Sequence, residues 1–210
     1  MSRNNRFFPL YPFKYNKDIS LKNGTTICVR SVRGEDEPGL KQFFETLSAE
    51  SFFLRFSSPH ISLDHDHLAR LCQVDYDRNI AFLAVVPGEE ESIIGDVRLT
   101  RLNDLDCAEL SVVIADQWQG MGAGSHLMNF CLILARKMGL TNVLMEIMKS
   151  NIRMKRMGCK YGFLQLPCNK EDYMQVMELK IRPEEKFSIP FAGREFFSNT
   201  PIDNRTAAMQ

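Results

Sequence analysis

Residues 108–139, AELSVVIADQWQGMGAGSHLMNFCLILARKMG, decide the fold of this chain. Residues 111–115 form a short apolar run rich in β-branched side chains, which is typical of a strand covered on both faces. Beyond the glycines, apolar side chains recur at helical spacing, at Leu127, Cys131, Leu134, Ala135 and Met138. Gly139 stands where a helix commonly ends in a left-handed residue. The stretch predicts a buried strand, a glycine-rich turn and an amphipathic helix.

The turn between strand and helix contains three closely spaced glycines, Gly120, Gly122 and Gly124. The first N–H groups of a helix lack partners within the helix, and the helix dipole places partial positive charge there. Glycines remove the side chains that would hold a ligand away from this backbone. The turn is therefore a candidate site for a phosphate or diphosphate group.

The pattern of the turn narrows the kind of phosphate ligand. A phosphate loop of the Lys-Ser/Thr type is excluded, because no lysine follows the glycines. The dinucleotide fingerprint also fails, because Ser125 stands where its third glycine would be. Glu146 has about the separation of a ribose-binding acid, but it falls inside an apolar strand. An ordinary glycine-rich turn without a ligand remains the alternative.

The composition of the chain limits the classes of protein to which it can belong. The 210 residues favour one domain with extensions, and 26 basic residues balance 26 acidic ones. A net charge of zero gives no electrostatic reason to expect nucleic acid or an anionic membrane as a partner. No apolar run approaches the roughly 18 to 20 residues of a membrane span, and the N-terminus lacks the apolar core of a signal peptide.

The six cysteines and the histidines do not form a metal pattern. No two cysteines are spaced as Cys-x-x-Cys, and most fall in predicted strands or helices, so we expect reduced core thiols in the cytoplasm. Residues 64–67, DHDH, resemble a ligand cluster. Adjacent residues on a helix point in different directions, however, so these four cannot converge on one ion, and no metal is expected.

The remaining elements follow from periodicity and turn residues. The predicted strands are 25–30, 79–87, 92–101, 142–148, 163–166 and 173–181, in addition to the one that opens the glycine turn. The predicted helices outside the organising stretch are 35–48, 49–56, 62–72 and a short basic one from Asn151 to about Phe163. Residues 1–20 are expected to form an N-terminal arm, and 182–210 a C-terminal tail.

This order, with Gln119-x-x-Gly122-x-Gly124 after a strand and Asn151 opening the later helix, resembles the GNAT superfamily of N-acetyltransferases over about residues 25–181. The resemblance implies a mixed α/β (α+β) fold with a central sheet of six to seven strands. That sheet is splayed at the cofactor site and flanked by about four helices. We assign residues 21–181 to this domain.

A closer resemblance is carried by four segments, LKNGTTICVRSVRGEDEP, ETLSAESFFLRF, VDYDRNIAFLAV and CAELSVVI. They are similar to the acetyltransferase domain of bacterial Pat-type protein lysine acetyltransferases. The resemblance implies acetyl-CoA as the acyl donor. It also implies a protein lysine as the acceptor, for example on an acyl-CoA synthetase.

The resemblance implies roles for individual residues, each at the position that matches the family pattern. The residues that match the loop binding the cofactor's diphosphate are Gln119, Gly120, Met121, Gly122, Ala123 and Gly124. The strand residues that match those pairing with the pantetheine arm are Val112, Val113 and Ile114. Asn151 matches a residue that hydrogen-bonds the arm, and it also suits a helix N-cap.

Glu109 is the predicted catalytic residue. A lysine amine has a pKa near 10.4, so at neutral pH only about one in 10³ is uncharged and able to attack a thioester. A carboxylate at the start of the strand can take the proton, directly or through water. Glu109 also matches the glutamate of Pat-type enzymes, and the alternative is an exposed carboxylate at a strand end.

The chain departs from the family pattern at the general acid. Many relatives carry a tyrosine where this chain has Gly158, and Tyr161 is displaced from that position by three residues. The acid for the leaving thiolate is therefore unassigned. Two alternatives stay open: acetylation of a small amine such as a polyamine, amino acid or antibiotic, and a non-catalytic module that binds acyl-CoA or a partner.

Overall fold

An eight-stranded mixed sheet is the frame of the computed structural model, which describes residues 16–102, 106–169 and 172–181. The strands are β1 (Lys17–Ser20), β2 (Thr26–Ser31), β3 (Asn79–Val86), β4 (Ser92–Arg101), β5 (Cys107–Ile114), β6 (Asn142–Met148), β7 (Leu164–Gln165) and β8 (Met174–Lys180). The helices are α1 (Glu37–Glu45), α2 (Ala49–Phe56), α3 (His65–Cys72), α4 (Ala123–Lys137) and α5 (Ile152–Lys160). Among the helices of this described part, none has the length and apolarity needed to cross a bilayer.

The strands lie in the order β1-β2-β3-β4-β5-β6-β8-β7. Neighbouring strands pair antiparallel except β5 and β6, which are parallel and are joined through α4. The mixed α/β fold and the strand–helix–strand unit are confirmed. The described residues contain eight strands, one more than the seven predicted, because β1 also joins the sheet. The five helices are the five predicted from periodicity, against about four implied by the resemblance.

Two separate cores cover the two faces of the sheet. On the face we call the α4 face, α4 and α5 pack on alternate residues of β5, including Ala108, Leu110 and Ile114. On the opposite face, the α1 face, the core contains residues of α1 and α3 together with Val113 and Ala115. Because side chains alternate along a strand, Glu109 and Ser111 lie on the α1 face with Val113.

Three local features differ from the sequence predictions. β1 forms within the range expected as an arm; its sequence, KDIS, is too short and polar to show strand alternation, and it pairs with β2. α3 begins at His65 and not at residue 62, because the Asp64 carboxylate accepts the His67 N–H at 2.8 Å and caps the helix. α1 is shorter than predicted because Gly34–Asp36 form a 3₁₀ turn before it. The arm residues 1–15 and the tail 182–210 lie outside the described residues.

Candidate active site

A cleft opens where β5 and β6 separate. The two strands pair only from Cys107 to Glu109, opposite Asn142 to Leu144, although β5 continues to Ile114. The predicted splay is therefore present. It arises without a bulge in β5, whose register against β4 is constant along its length.

Every second residue of β5 directs its backbone N–H and C=O groups toward this cleft. Ala115 N–H donates to Ile94 C=O at 2.9 Å, and Leu102 N–H donates to Cys107 C=O at 2.9 Å. Odd-numbered residues of β5 therefore bond toward β4, and even-numbered ones face the opposite edge. Val112 and Ile114 present backbone groups to the cleft, whereas Val113 does not.

The glycine loop closes the wide end of the cleft and leads into α4. Gly120 and Gly122 adopt φ angles of 78° and 106°, which only glycine takes up without strain. The first bond inside the helix runs from His126 N–H to Gly122 C=O, so the amides of residues 123–125 have no acceptor within the helix. Met121 C=O accepts from Lys22 N–H at 3.0 Å, so the β1–β2 turn holds the loop. This arrangement suits an anion.

The side chain of Gln119 is occupied by contacts within the protein. Its Nε2 donates to Ile114 C=O at 3.0 Å and to Ser51 Oγ at 3.1 Å, and its Oε1 accepts from Arg153 Nη1. One carboxamide thus joins the end of β5, the start of α2 and the start of α5. Gln119 fixes the shape of the site from within and leaves anion contacts to the backbone.

Asn151 caps α5 on the other side of the cleft. Its Oδ1 accepts the Met154 N–H at 3.0 Å, as the capping interpretation predicts. The cap uses Oδ1 and not Nδ2, so capping and contact with a ligand are compatible.

Glu109 stands at the closed end of the cleft. It lies in the last residue pair of β5 with β6, opposite Leu144, and its side chain is half-buried. Within the described residues its carboxylate makes no hydrogen bond or ion pair. A carboxylate in this state is available to accept a proton.

A buried charged cluster lies on the same face of the sheet as Glu109, a feature the sequence analysis missed. Asp96 is fully buried, with Arg98 Nε at 3.1 Å and Arg55 Nη2 at 3.4 Å. Burial lowers the pKa of Arg55, while the charges of Asp96 and Glu109 oppose that shift. The signal in the sequence was a pair of charged residues, Asp96 and Arg98, in the middle of a predicted strand.

Tyr161 is not placed to act as the missing acid. Its hydroxyl donates to Ser125 C=O at 2.7 Å on the α4 face, and burial raises the pKa of this phenol. At Gly158 a Cβ would lie 2.7 Å from Met145 Cε, so this position is filled by methionine packing. The general acid remains unassigned.

The other candidate ligands have local structural roles. Asp64 caps α3, and His65 Nδ1 contacts Glu37 Oε1 at 2.8 Å. No group of three or more potential metal ligands occurs in the described ranges.

The comparisons with known proteins agree with this geometry. Residues 42–163 match the sequence profile described as the acetyltransferase (GNAT) family, and the chain belongs to that family. It is thus an acyltransferase, and the acyl donor of the family is acetyl-CoA.

Two curated relatives and one solved structure locate the chain within the family. An acetyltransferase of Pseudomonas aeruginosa is 29% identical over 146 residues, which cover 69% of this chain and 78% of that protein. The acetyltransferase Pat of Mycolicibacterium smegmatis is 27% identical over 69% of this chain, and the match spans 42% of that longer protein. The crystal structure of the GNAT domain of S. lividans PAT is similar with a TM-score of 0.74 and 26% identity, covering 81% of this chain and 99% of that one. The predicted similarity to Pat-type acetyltransferases is confirmed.

Proposed function

We propose that the protein transfers the acetyl group of acetyl-CoA to a lysine side chain of a protein such as an acyl-CoA synthetase. The observation that carries this proposal is the position of Glu109. Among the described residues its carboxylate has no hydrogen bond or ion pair, and it lies at the closed end of a cleft whose wide end is a loop suited to an anion. In this arrangement the loop amides of residues 120–124 hold the diphosphate. The cleft-facing backbone of Val112 and Ile114 pairs with the pantetheine arm, and Asn151 approaches the arm from α5.

The reaction proceeds by direct attack. The neutral amine nitrogen bonds to the thioester carbon while Glu109 takes a proton from it, and a cleft-facing amide of β5 donates to the carbonyl oxygen. The C–S bond then breaks and the sulfur leaves as a thiolate. A thiol pKa near 8.5 makes this departure feasible without a strong general acid.

A hollow on the two strands that follow β5 in the sheet supports a protein acceptor. A hollow of about 650 Å³ lies on β6 and β8, lined by Glu146, Asp172 and the exposed ring of Tyr173. Glu146 is two residues beyond Leu144, the strand partner of Glu109. A hollow with two carboxylates in its lining can accept a lysine that projects from a folded protein.

Transfer from labelled acetyl-CoA to purified acyl-CoA synthetases tests the proposal. Glu109→Gln should lower kcat/KM by about 10² to 10⁴, because it removes the base, without changing the dissociation constant of acetyl-CoA. The matched control is Glu178→Gln: Glu178 lies in the same row two strands away and binds Asn142 Nδ2. Equal rates for wild type and Glu109→Gln would contradict the role of Glu109.

A small cationic amine is the second candidate, favoured by the carboxylates of Glu146 and Asp172 in the hollow. Transfer assays with a panel of polyamines and amino acids as acceptors distinguish the protein acceptor from the small-amine acceptor. Turnover of one such amine at low millimolar concentration, without transfer to any protein, would replace the protein acceptor.

We also place the reaction in the cytoplasm, where all six cysteines would remain thiols, as they are in the structure.

A further inference from the structure

The helix α2 lies across the α1 face of the sheet, above the place where β5 and β6 separate. Near its start, Ser51 Oγ accepts from Gln119 Nε2 at 3.1 Å, which joins the helix to the end of β5. Just beyond its last residue, Ser57 Oγ lies 3.9 Å from Met174 Sδ on β8. Because β6 lies between β5 and β8, the helix spans both sides of the cleft.

Arg55 is a charged residue that α2 places against the sheet. It follows Ser51 by four positions, so the two side chains share one face of the helix. Its Nη2 lies 3.4 Å from Asp96 Oδ2, and its side chain is 13% exposed. Asp96 is opposite Val113 in the β4–β5 ladder, and Val113 shares the α1 face with Glu109. Arg55 therefore approaches the face from which Glu109 projects.

The two arginines beside Asp96 are not equally compensated. Arg98 forms a two-point ion pair with Asp96, at 3.1 Å from Nε to Oδ2 and 3.1 Å from Nη2 to Oδ1. Its Nη1 also donates at 2.8 Å to Leu71 C=O, at the negative C-terminal end of α3. Arg55 has only the longer contact with the same aspartate, and its buried Nε has no acceptor among the described residues.

The charge balance of this cluster points to Glu109. Two arginines against one aspartate leave one positive charge without a carboxylate of its own, and an unbalanced charge is costly to bury. Burial lowers the pKa of Arg55, whereas the negative charges of Asp96 and Glu109 raise it. Glu109 is thus near enough to act on Arg55, and its ionised form supplies the missing negative charge.

This charge acts on Glu109 through space. A general base must be ionised when the amine arrives, but burial disfavours an ionised carboxylate and a nearby cation favours it. Glu109 is half-buried and has no hydrogen bond or ion pair within the described residues. A guanidinium that acts without direct contact leaves both carboxylate oxygens open to the amine.

We propose that Arg55 is a positioning residue for acetyl transfer, whose guanidinium is shared between Asp96 and Glu109 and keeps Glu109 ionised. The inference rests on the proposed role of Glu109 as the base. When Glu109 takes a proton from the amine, the charge of Arg55 loses its balance. This favours release of that proton to water, which restores the carboxylate for the next turnover.

Transfer of labelled acetyl groups to an acyl-CoA synthetase tests the inference. Arg55→Met removes the charge and should lower kcat/KM for the acceptor about tenfold, without changing the KM for acetyl-CoA. Arg55→Lys keeps the charge and should remain within about threefold of the wild type. Arg70→Met, an exposed arginine in the last turn of α3, is the control and should keep the full rate.

A double-mutant cycle with Glu109→Gln separates this role from a structural one. Without the carboxylate, Arg55→Met should change the remaining rate by less than about twofold. A displaced α2 would instead lower the rate by the same factor in both backgrounds, and lysine would not restore it. Urea denaturation establishes that each variant is folded, and Arg55→Gln replaces Arg55→Met in the cycle if that variant does not fold.

Three results overturn the role of Arg55 and leave the proposed function intact. They are equal rates for wild type and Arg55→Met, equal losses in both backgrounds, and no recovery in Arg55→Lys. Absence of transfer by the wild-type protein, or no loss in Glu109→Gln, overturns the proposed function and this inference together.

Discussion

The two faces of the sheet bury side chains of different chemical character. The α4 face is packed mainly with aliphatic side chains of α4, β4, β5 and β6. The α1 face contains all three of the buried charged residues in the described ranges, Arg30, Asp36 and Asp96. Glu109 projects from this second face, beside ions that the protein already accommodates. The α4 face instead supports the glycine loop. The comparison shows that one face is packed mainly with apolar side chains, whereas the other holds the buried charges and the carboxylate that we propose as the base.

The largest effect on stability is expected when the central carboxylate of the α1 face is removed. Asp96→Ala leaves the buried charges of Arg55 and Arg98 without their carboxylate partner. It should therefore lower the free energy of unfolding by about 3–5 kcal/mol. Urea denaturation measures the loss. Asp66→Ala, exposed on α3, is the control and should change stability by less than about 0.5 kcal/mol. A loss below about 1 kcal/mol for Asp96→Ala would mean that the cluster contributes little.

A smaller effect is expected where the α4 face supports the loop. Gly122→Ala forces a side chain into a residue with φ of 106° and should cost about 1–2 kcal/mol. It should also weaken acetyl-CoA binding, measured by calorimetry. Gly124→Ala is the control for stability alone, since Gly124 belongs to the same loop: its Cβ would lie 3.5 Å from Ile114 Cγ1, inside a helix that favours alanine. Equal losses of stability in the two variants would contradict a special role of the backbone of Gly122.

Tyr161 tests whether the α4 face takes part in proton transfer. Tyr161→Phe removes the hydroxyl that donates to Ser125 C=O and should cost about 1 kcal/mol of stability. The rate of transfer should change by no more than about twofold, because this hydroxyl is already engaged by Ser125 C=O. A tenfold fall in kcat with unchanged acetyl-CoA affinity would identify Tyr161 as the general acid after all.

The smallest expected effect concerns an exposed pair on the α1 face. Its hydrogen bond to Glu37 raises the pKa of His65, so this contact stabilises the folded state fully below about pH 6.5 and is lost as the pH rises through the folded value. Glu37→Gln should therefore lower the Tm slightly at pH 6 and not at pH 8.5. A Tm difference that is the same at both pH values would show that the ionised pair does not stabilise the fold.

The sequence was sufficient for features that depend on neighbouring residues. The glycine turn, the cap by Asn151 and the parallel β5–β6 pair all follow from local patterns and chain order. β1 escaped prediction because four mostly polar residues carry no period, and its pairing with β2 is tertiary.

Local sequence patterns could not predict the contacts at the site between residues that are far apart in the chain. The carboxamide of Gln119 meets Ser51 and Arg153 across long separations in sequence, and no local pattern encodes that contact. The cluster of Arg55, Asp96 and Arg98 likewise forms only when α2 packs on β4.

The three-way contact of Gln119 has a consequence for the entropy of ligand binding. Because one side chain holds Ile114, Ser51 and Arg153 together, the width of the cleft is set before any cofactor arrives. Little conformational freedom then remains to be lost on association, so more of the contact free energy is retained as affinity. A preorganised cleft of this kind requires no rearrangement of its strands when a ligand binds or leaves.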